Sequence, residues 1–233
     1  GLWTRFTKNS GAVIGLLVLA LVIFVAVFAP LLFPGNPWDA DAAPFLKPFE
    51  EPGYWLGTDS MGRNISSGIA HGARASLLVG GAATLVAVTI GLLVGVPAGF
   101  FGGRTDEALM RLTEIFQTIP SFFLAILFVA IFQPSLWSVV AAVGLVSWPP
   151  IARLVRAEFM RLKTSEFVEA ALVQGLTKLR IVLVEILPNC LSPLIVMASL
   201  MVANAILLES ALSFLGLGDP NLMSWGYMVG ASR

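Results

Sequence analysis

The sequence predicts an all-α, polytopic membrane protein, a helical bundle forming one transmembrane domain over residues 1–233. Three observations carry that prediction. The chain is 57% hydrophobic and only 12% charged, whereas soluble domains carry about 25% charged residues. Apolar runs recur at lengths that cross, or nearly cross, a hydrocarbon core about 30 Å thick. Lysine and arginine collect on one side of those runs, as the positive-inside rule demands. The formal net charge of zero gives no reason to expect a nucleic-acid partner; the lipid bilayer is the expected one. Cys190 is alone and permits no internal disulfide, and the single histidine, His71, argues against a histidine-based metal site.

The first run, residues 11–33, carries no charge. It is too long for a signal-peptide core and lacks a small-residue cleavage site, so it is expected to be a mature span. Arg5 and Lys8 before it place the N-terminus in the cytoplasm. Residues 34–74 form the external loop, rich in proline, glycine and acids, with Asp39, Asp41, Glu50, Glu51 and Asp59 set against Lys47, Arg63 and Arg74. Residues 65–71 suit a short interfacial helix, and Asp59 and Arg63 are expected to shape a turn rather than touch solute. The second span, 75–101, carries Gly80, Gly81, Gly91, Gly95 and Gly99, small residues that let neighbouring helices approach. Gly102 and Gly103 end it, and residues 104–114 read as a short charged connection with an amphipathic beginning. The third span, 115–132, is interrupted by Pro120; the fourth, 136–155, contains Pro149 and Pro150, which predict a bent helix. The fifth is 189–208. This alternation gives the cytoplasmic segments Arg5, Lys8, Arg104, Arg111, Arg153, Arg156, Arg161, Lys163, Lys178 and Arg180, and the opposite side only Lys47, Arg63, Arg74 and Arg233.

Energy keeps the loop at residues 156–188 out of the bilayer. Between 165 and 185 it carries Glu166, Glu169, Lys178, Arg180 and Glu185, each costing about 2.5–3.5 kcal/mol at a bilayer centre. The larger apolar residues of the same stretch return only about 0.3–0.6 kcal/mol each. Local chemistry then divides the loop. Thr164 or Ser165 can cap a helix whose first turn carries Glu166. Phe167, Ala170 and Ala171 share one face at helical spacing beside Glu169. Gly175 suits a left-handed residue closing that helix, Thr177 can cap the next, and Pro188 begins the fifth span. A helix shorter than about 12 residues is marginal alone and calls for a partner groove. From spacing alone, an interfacial helix resting on lipid reads equally well.

The same residues carry a resemblance. Glu169, Ala170 and Ala171, then three residues and Gly175, then nine residues, two more and Leu187–Pro188, resemble the cytoplasmic loop signature of bacterial ABC importer membrane subunits. From Gly11 onward the chain resembles the dipeptide, oligopeptide and nickel permease family. WLGTDSMGRN with HGARASLLVG, GGRTDEALMRL, IPSFFLAI, ARLVRAEF, LPNCLSPLIV and SALSFLGLG with SWG match its blocks in the family's order. The resemblance implies a type I ABC importer permease fold in which Glu169, Ala170, Ala171 and Gly175, with Leu187 and Pro188, belong to a coupling helix that docks on an ATPase. It implies a multi-pass subunit of a bacterial inner membrane, paired with a homologous permease subunit, two cytoplasmic ATPase subunits and an extracytoplasmic solute-binding protein, and importing peptides. Nickel or another small solute is the alternative.

ATP and magnesium are expected on the ATPase subunits, because these residues contain no GxxxxGKS or GxxxxGKT loop. No catalytic, cofactor-binding or metal-binding residue is expected on this chain. Asn204 and Glu209 are candidates for the translocation path, although bonding to a neighbouring helix is the favoured use of Asn204. Two rival classes fare worse. A secondary transporter places ionisable residues inside its spans, and a membrane enzyme needs a nucleophile and base there, whereas His71 lies outside them. Three departures from the family pattern stand out: Glu185 where His or Ile is usual, Asn64 for Asp, and Gly68 for Arg. The family has six spans, so the sequence is expected to lack a last helix.

Overall fold

The computed structural model describes residues 6–232; Arg5 and Arg233, used in the charge count above, lie outside the described residues. Every named element among them is helical. α1 (Ser10–Leu32) opens with the Asn9 side chain accepting from the Ala12 amide and buries only Ala26 and Ala29. A helix that is apolar all round yet packs so little is suited to lipid. α2 (Ile65–Phe101) has 37 residues, about 55 Å of helix. α3 (Gly103–Thr118) and α4 (Ser121–Phe132) meet at a bend of 82° beside Pro120. α5 (Leu136–Leu162) starts with a reciprocal cap between Ser135 and Ser138 and runs on through Pro149 and Pro150. The short α6 (Glu166–Val173) is followed by α7 (Lys178–Phe214), whose second turn, Ile181–Ile186, is wound as a π-helix. α8 (Trp225–Ala231) closes the described chain. Four helices, α1, α2, α5 and α7, are long and apolar enough to cross a membrane, and the bent pair α3–α4 makes a fifth candidate.

Three segments differ from the reading above; in one, residues 178–188, expected as loop, form the start of α7, so Pro188 lies inside that helix rather than opening the fifth span. Residues 65–71 are not a separate interfacial helix but the first turns of α2. Asn64 starts them: its Oδ1 accepts from the amides of Ser66 at 3.0 Å and Ser67 at 3.3 Å. Asn caps a helix as well as the Asp it replaces, and no proline follows until Pro97. Residues 104–114 are likewise not a loop. Once Gly102 and Gly103 break α2 with left-handed backbone, the amphipathic pattern rewinds as α3, with Asp106 in its first turn.

By packing, the chain divides into two compact units. The unit of residues 1–78 and 210–233 has Arg63, 5% exposed, at its centre. Arg63 Nε donates to Asp59 Oδ2 at 2.7 Å and Nη1 to the Tyr227 hydroxyl at 3.0 Å. The guanidinium also lies 5.7 Å from the Trp38 ring centre and 5.4 Å from that of Tyr227. Burial alone would lower its pKa, but the hydrogen bonds to Tyr227 and Asp59 and the Asp59 charge outweigh burial and raise it. Asp59 Oδ1 meanwhile accepts from the Met61 and Arg63 amides, so Asp59 closes the turn while the Arg63 guanidinium ties it to Tyr227. The SWG block serves packing: Ser224 caps α8, and Trp225 Nε1 donates to the Ile69 carbonyl at 3.0 Å.

In the unit of residues 79–209, α2 lies close against α5. A Cβ added at Gly91, Gly95 or Gly99 would stand 2.4–2.6 Å from Ile151 Cγ2, the Ala152 carbonyl oxygen or the Arg156 carbonyl oxygen. These three glycines, spaced by four, form the stripe that admits the neighbouring helix. Ile151, Ala152, Val155 and Phe159 of α5 then share one buried cluster with Ile181, Ile186 and Cys190 of α7. Asp106 and Arg156 form a two-pronged ion pair between α3 and α5.

Candidate functional site

The connection from α5 through α6 into α7 is built almost entirely from local rules. Lys163 Nζ donates to the Phe100 carbonyl at 3.0 Å, one of the orphan carbonyls at the end of α2. Ser165 takes the N-cap position of α6, with its carbonyl accepting from Val168 and Glu169. Its hydroxyl turns back to the Leu162 carbonyl, so no side chain caps the helix; Glu166 and Glu169 in the first turn answer the N-terminal dipole instead. At the other end the Leu176 amide reaches the Ala171 carbonyl and the Gly175 amide the Leu172 carbonyl, with Gly175 at φ +76°. That is a Schellman closure, which favours glycine at this position. Thr177 then caps the start of α7 by accepting from the Arg180 amide at 3.4 Å.

The helix is seated differently from the face drawn by spacing. Val168, 1% exposed, and Ala171, 5% exposed, point into the buried cluster with Ile181 and Val182. Ala171 therefore does not share an open surface with Phe167 and Ala170. The pattern allowed either turn of an eight-residue helix, and the larger Val168 decided it by adding buried apolar area. What remains open is an apolar patch of Phe167, Ala170 and Val173, the last 88% exposed, interspersed with the exposed acids Glu166 and Glu169, while the exposed Leu172 lies on another side of the helix.

The remaining sequence candidates are dispersed. Leu187 is half-buried and Pro188 exposed where the π-helix gives way to α-helix. Glu185 lies inside that π-helix, half-buried, with its carbonyl accepting from Asn189 Nδ2 at 2.7 Å. Glu209 does not mark the end of the last long helix, which continues to Phe214; it is buried, at 3% exposure. Asn204, by contrast, is exposed and lines a cavity of about 500 Å³ with Gln117, Ser121, Ser147, Pro149 and Pro150. Asn204 and Glu209 stand five residues apart on one helix and so face different directions. Gln117, Ser121 and Ser147 were not singled out in the sequence. The available signal was the prolines beside them, Pro120, Pro149 and Pro150. Among the described residues no group of three or more His, Cys, Asp and Glu could hold a metal.

A polytopic bundle whose penultimate long helix leads through a short, core-seated helix into the last one is the architecture of a type I ABC importer permease. The solved inward-facing structure of the MetNI methionine ABC transporter shares it, with a TM-score of 0.59 over 66% of this chain and 77% of that one at 20% identity, a likeness of fold. The chain belongs to the family described as binding-protein-dependent transport system inner membrane component, matched over residues 87–231. Residues 1–49 also match the N-terminal TM domain of oligopeptide transport permease C. Among its relatives, the di/tripeptide transport system permease protein DppC of Pseudomonas aeruginosa is 40% identical over 99% of this chain and 78% of its own length. The oligopeptide transport system permease protein OppC of Escherichia coli K12 is 44% identical over 97% and 75%. That of Haemophilus influenzae is 41% identical over 97% and 73%. The chain is thus a multi-pass inner-membrane permease, as its sequence blocks implied.

Proposed function

We propose that this chain is one permease subunit of an ATP-driven importer of short peptides, and that α6 is the surface on which a cytoplasmic ATPase subunit docks. The observation that carries the reading is the apolar patch on a capped helix whose other face is locked into the core. Apolar side chains left open beside acids, on a helix too short to stand alone, suit a groove in a partner. A helix so fixed at both ends moves with α7 as one piece, so closure of the ATPases would shift the span it joins. Peptide as cargo is supported by the di/tripeptide and oligopeptide permeases that the chain resembles over nearly its whole length.

The assembly has a homologous permease subunit beside this one, two ATPases that bind ATP and magnesium, and an extracytoplasmic binding protein that delivers solute. The N-terminus and α6 are cytoplasmic. Asn204 belongs to the path, and Glu209 supports it from within the fold.

Glu169→Lys and Gly175→Val test the docking surface, the first by reversing the charge beside the patch, the second by placing a β-branched residue in the left-handed turn. Each is expected to reduce ATPase co-purification and peptide uptake at least tenfold while the chain still reaches the membrane at the wild-type level. Unchanged co-purification and uptake in both variants would remove the docking role. Uptake of Ni²⁺ but of no di- or tripeptide by the wild-type assembly would replace peptide as cargo.

A further inference from the structure

The cavity beside Asn204 gathers three elements at the points where their helical hydrogen bonding is broken. Pro120 ends the bend between α3 and α4, and no side chain caps α4, so the first amides of α4 have no intrahelical acceptor. Pro150 of α5 has no N–H, which leaves the carbonyl four residues earlier, that of Val146, without its helical donor. Val146, Pro150 and Ser121 all line the cavity. Gln117, Ser121, Ser147 and Asn204 supply the rest of its polar lining, and no charged residue contributes. Among the described residues, none of these four side chains has a hydrogen-bond partner.

Those facts fit together in one way. An exposed amide such as Asn204 on an otherwise apolar span is costly against lipid and belongs against protein or water. The cavity lies beside the uncapped start of α4 and the proline break of α5, and its lining carries two side-chain amides that both donate and accept. That is the complement of an extended peptide main chain, which presents N–H and C=O groups in alternation. It is a poor complement of a divalent cation, which would draw on imidazole or carboxylate ligands. We propose that the cavity holds peptide main chain in transit, bonding its amide groups and leaving its side chains unread. This rests on the importer reading above and extends it: indifference to the charge of the transported peptide follows from the neutral lining.

The test uses the complete transporter, with its ATPases and saturating binding protein, in proteoliposomes. Three tripeptides that differ only in a central Lys, Ala or Glu are taken up by wild type, Asn204→Asp and Asn204→Gln, and each variant's rate is divided by the wild-type rate for the same peptide. Asn204→Asp is expected to lower the ratio for the Glu peptide about tenfold relative to the Lys peptide, by like-charge repulsion across the site. Asn204→Gln keeps the three ratios equal. If Asn204→Asp changes all three ratios by one common factor, or none of them, the residue packs against a neighbouring helix and the inference is wrong. Failure of the wild-type transporter to take up any of the three would instead remove the importer reading, and the inference with it.

Discussion

Arg63 binds groups that lie far apart in the chain. Its ion-pair partner is four residues away, while the Tyr227 hydroxyl is 164 residues away. Arg63→Ala would leave the half-buried Asp59 carboxylate without its cation, a loss of about 3 kcal/mol. Thermal unfolding of the purified protein should register this as a fall in Tm of roughly 5–10 °C. Arg63→Lys should recover only part of it, because an ammonium lacks the fork that meets Asp59 and Tyr227 together. The raised pKa works in the same direction: stabilisation from this group is lost only as pH rises through the alkaline range where a guanidinium gives up its proton, so it is constant near neutrality. The turn at Gly175 and the cap at Thr177 could be read from the sequence because their partners lie within five residues. The aromatic pair of Trp38 and Tyr227 beside Arg63 could not, since nothing near residue 63 announces either ring. Ala171 lay between these cases: its helix was foreseeable, but which side of that helix met the core depended on α7.

At the scale of elements, the glycines of α2 are not equivalent. A Cβ at Gly95 would stand 2.5 Å from the Ala152 carbonyl oxygen, while one at Gly81 meets nothing within 4 Å. Gly95→Val should therefore force α2 and α5 apart and cost about 1–3 kcal/mol. Gly81→Ala should be neutral or stabilise by about 0.5–1 kcal/mol, through better helix propensity. Side-by-side thermal unfolding separates the two, and equal shifts would mean that the stripe is not what brings the helices together. Composition alone marked all five glycines of the second span as packing residues; only the register of α5 shows that Gly91, Gly95 and Gly99 are in use along it. The same limit hid the start of α2. Residues 65–74 look polar enough for a loop, yet Asn64 caps them and tertiary contacts such as that of Trp225 with the Ile69 carbonyl hold them helical.

For the molecule as a whole, the proposed orientation puts the loop before α2 and the α6 connection on opposite sides of the membrane. Alkaline phosphatase fused after Gly53 should be active and fused after Gln174 inactive, with a fluorescent reporter giving the reverse. Phosphatase activity at Gln174 would put α6 on the side away from ATP. The architecture could be anticipated because apolar run length and charge asymmetry are written locally along the chain. The cavity at Asn204 could not, because its polar groups come from α3, α4 and α5 as well as α7 and are neutral, so no charge pattern draws attention to them.

The π-wound turn Ile181–Ile186 has a consequence for how such chains can change length. A π-turn accommodates an extra residue, and each residue of an α-helix advances the rotation by about 100°. That turn holds its surplus residue by winding less per residue, so the helix before it and the helix after it keep the phase they would have without it. Removing one residue from this segment would close the wide turn into an ordinary α-turn and leave Asn204 facing nearly as before relative to α6. A deletion further along α7, where no wide turn absorbs it, would swing everything beyond it by about 100° and aim a well-formed helix at the wrong neighbour.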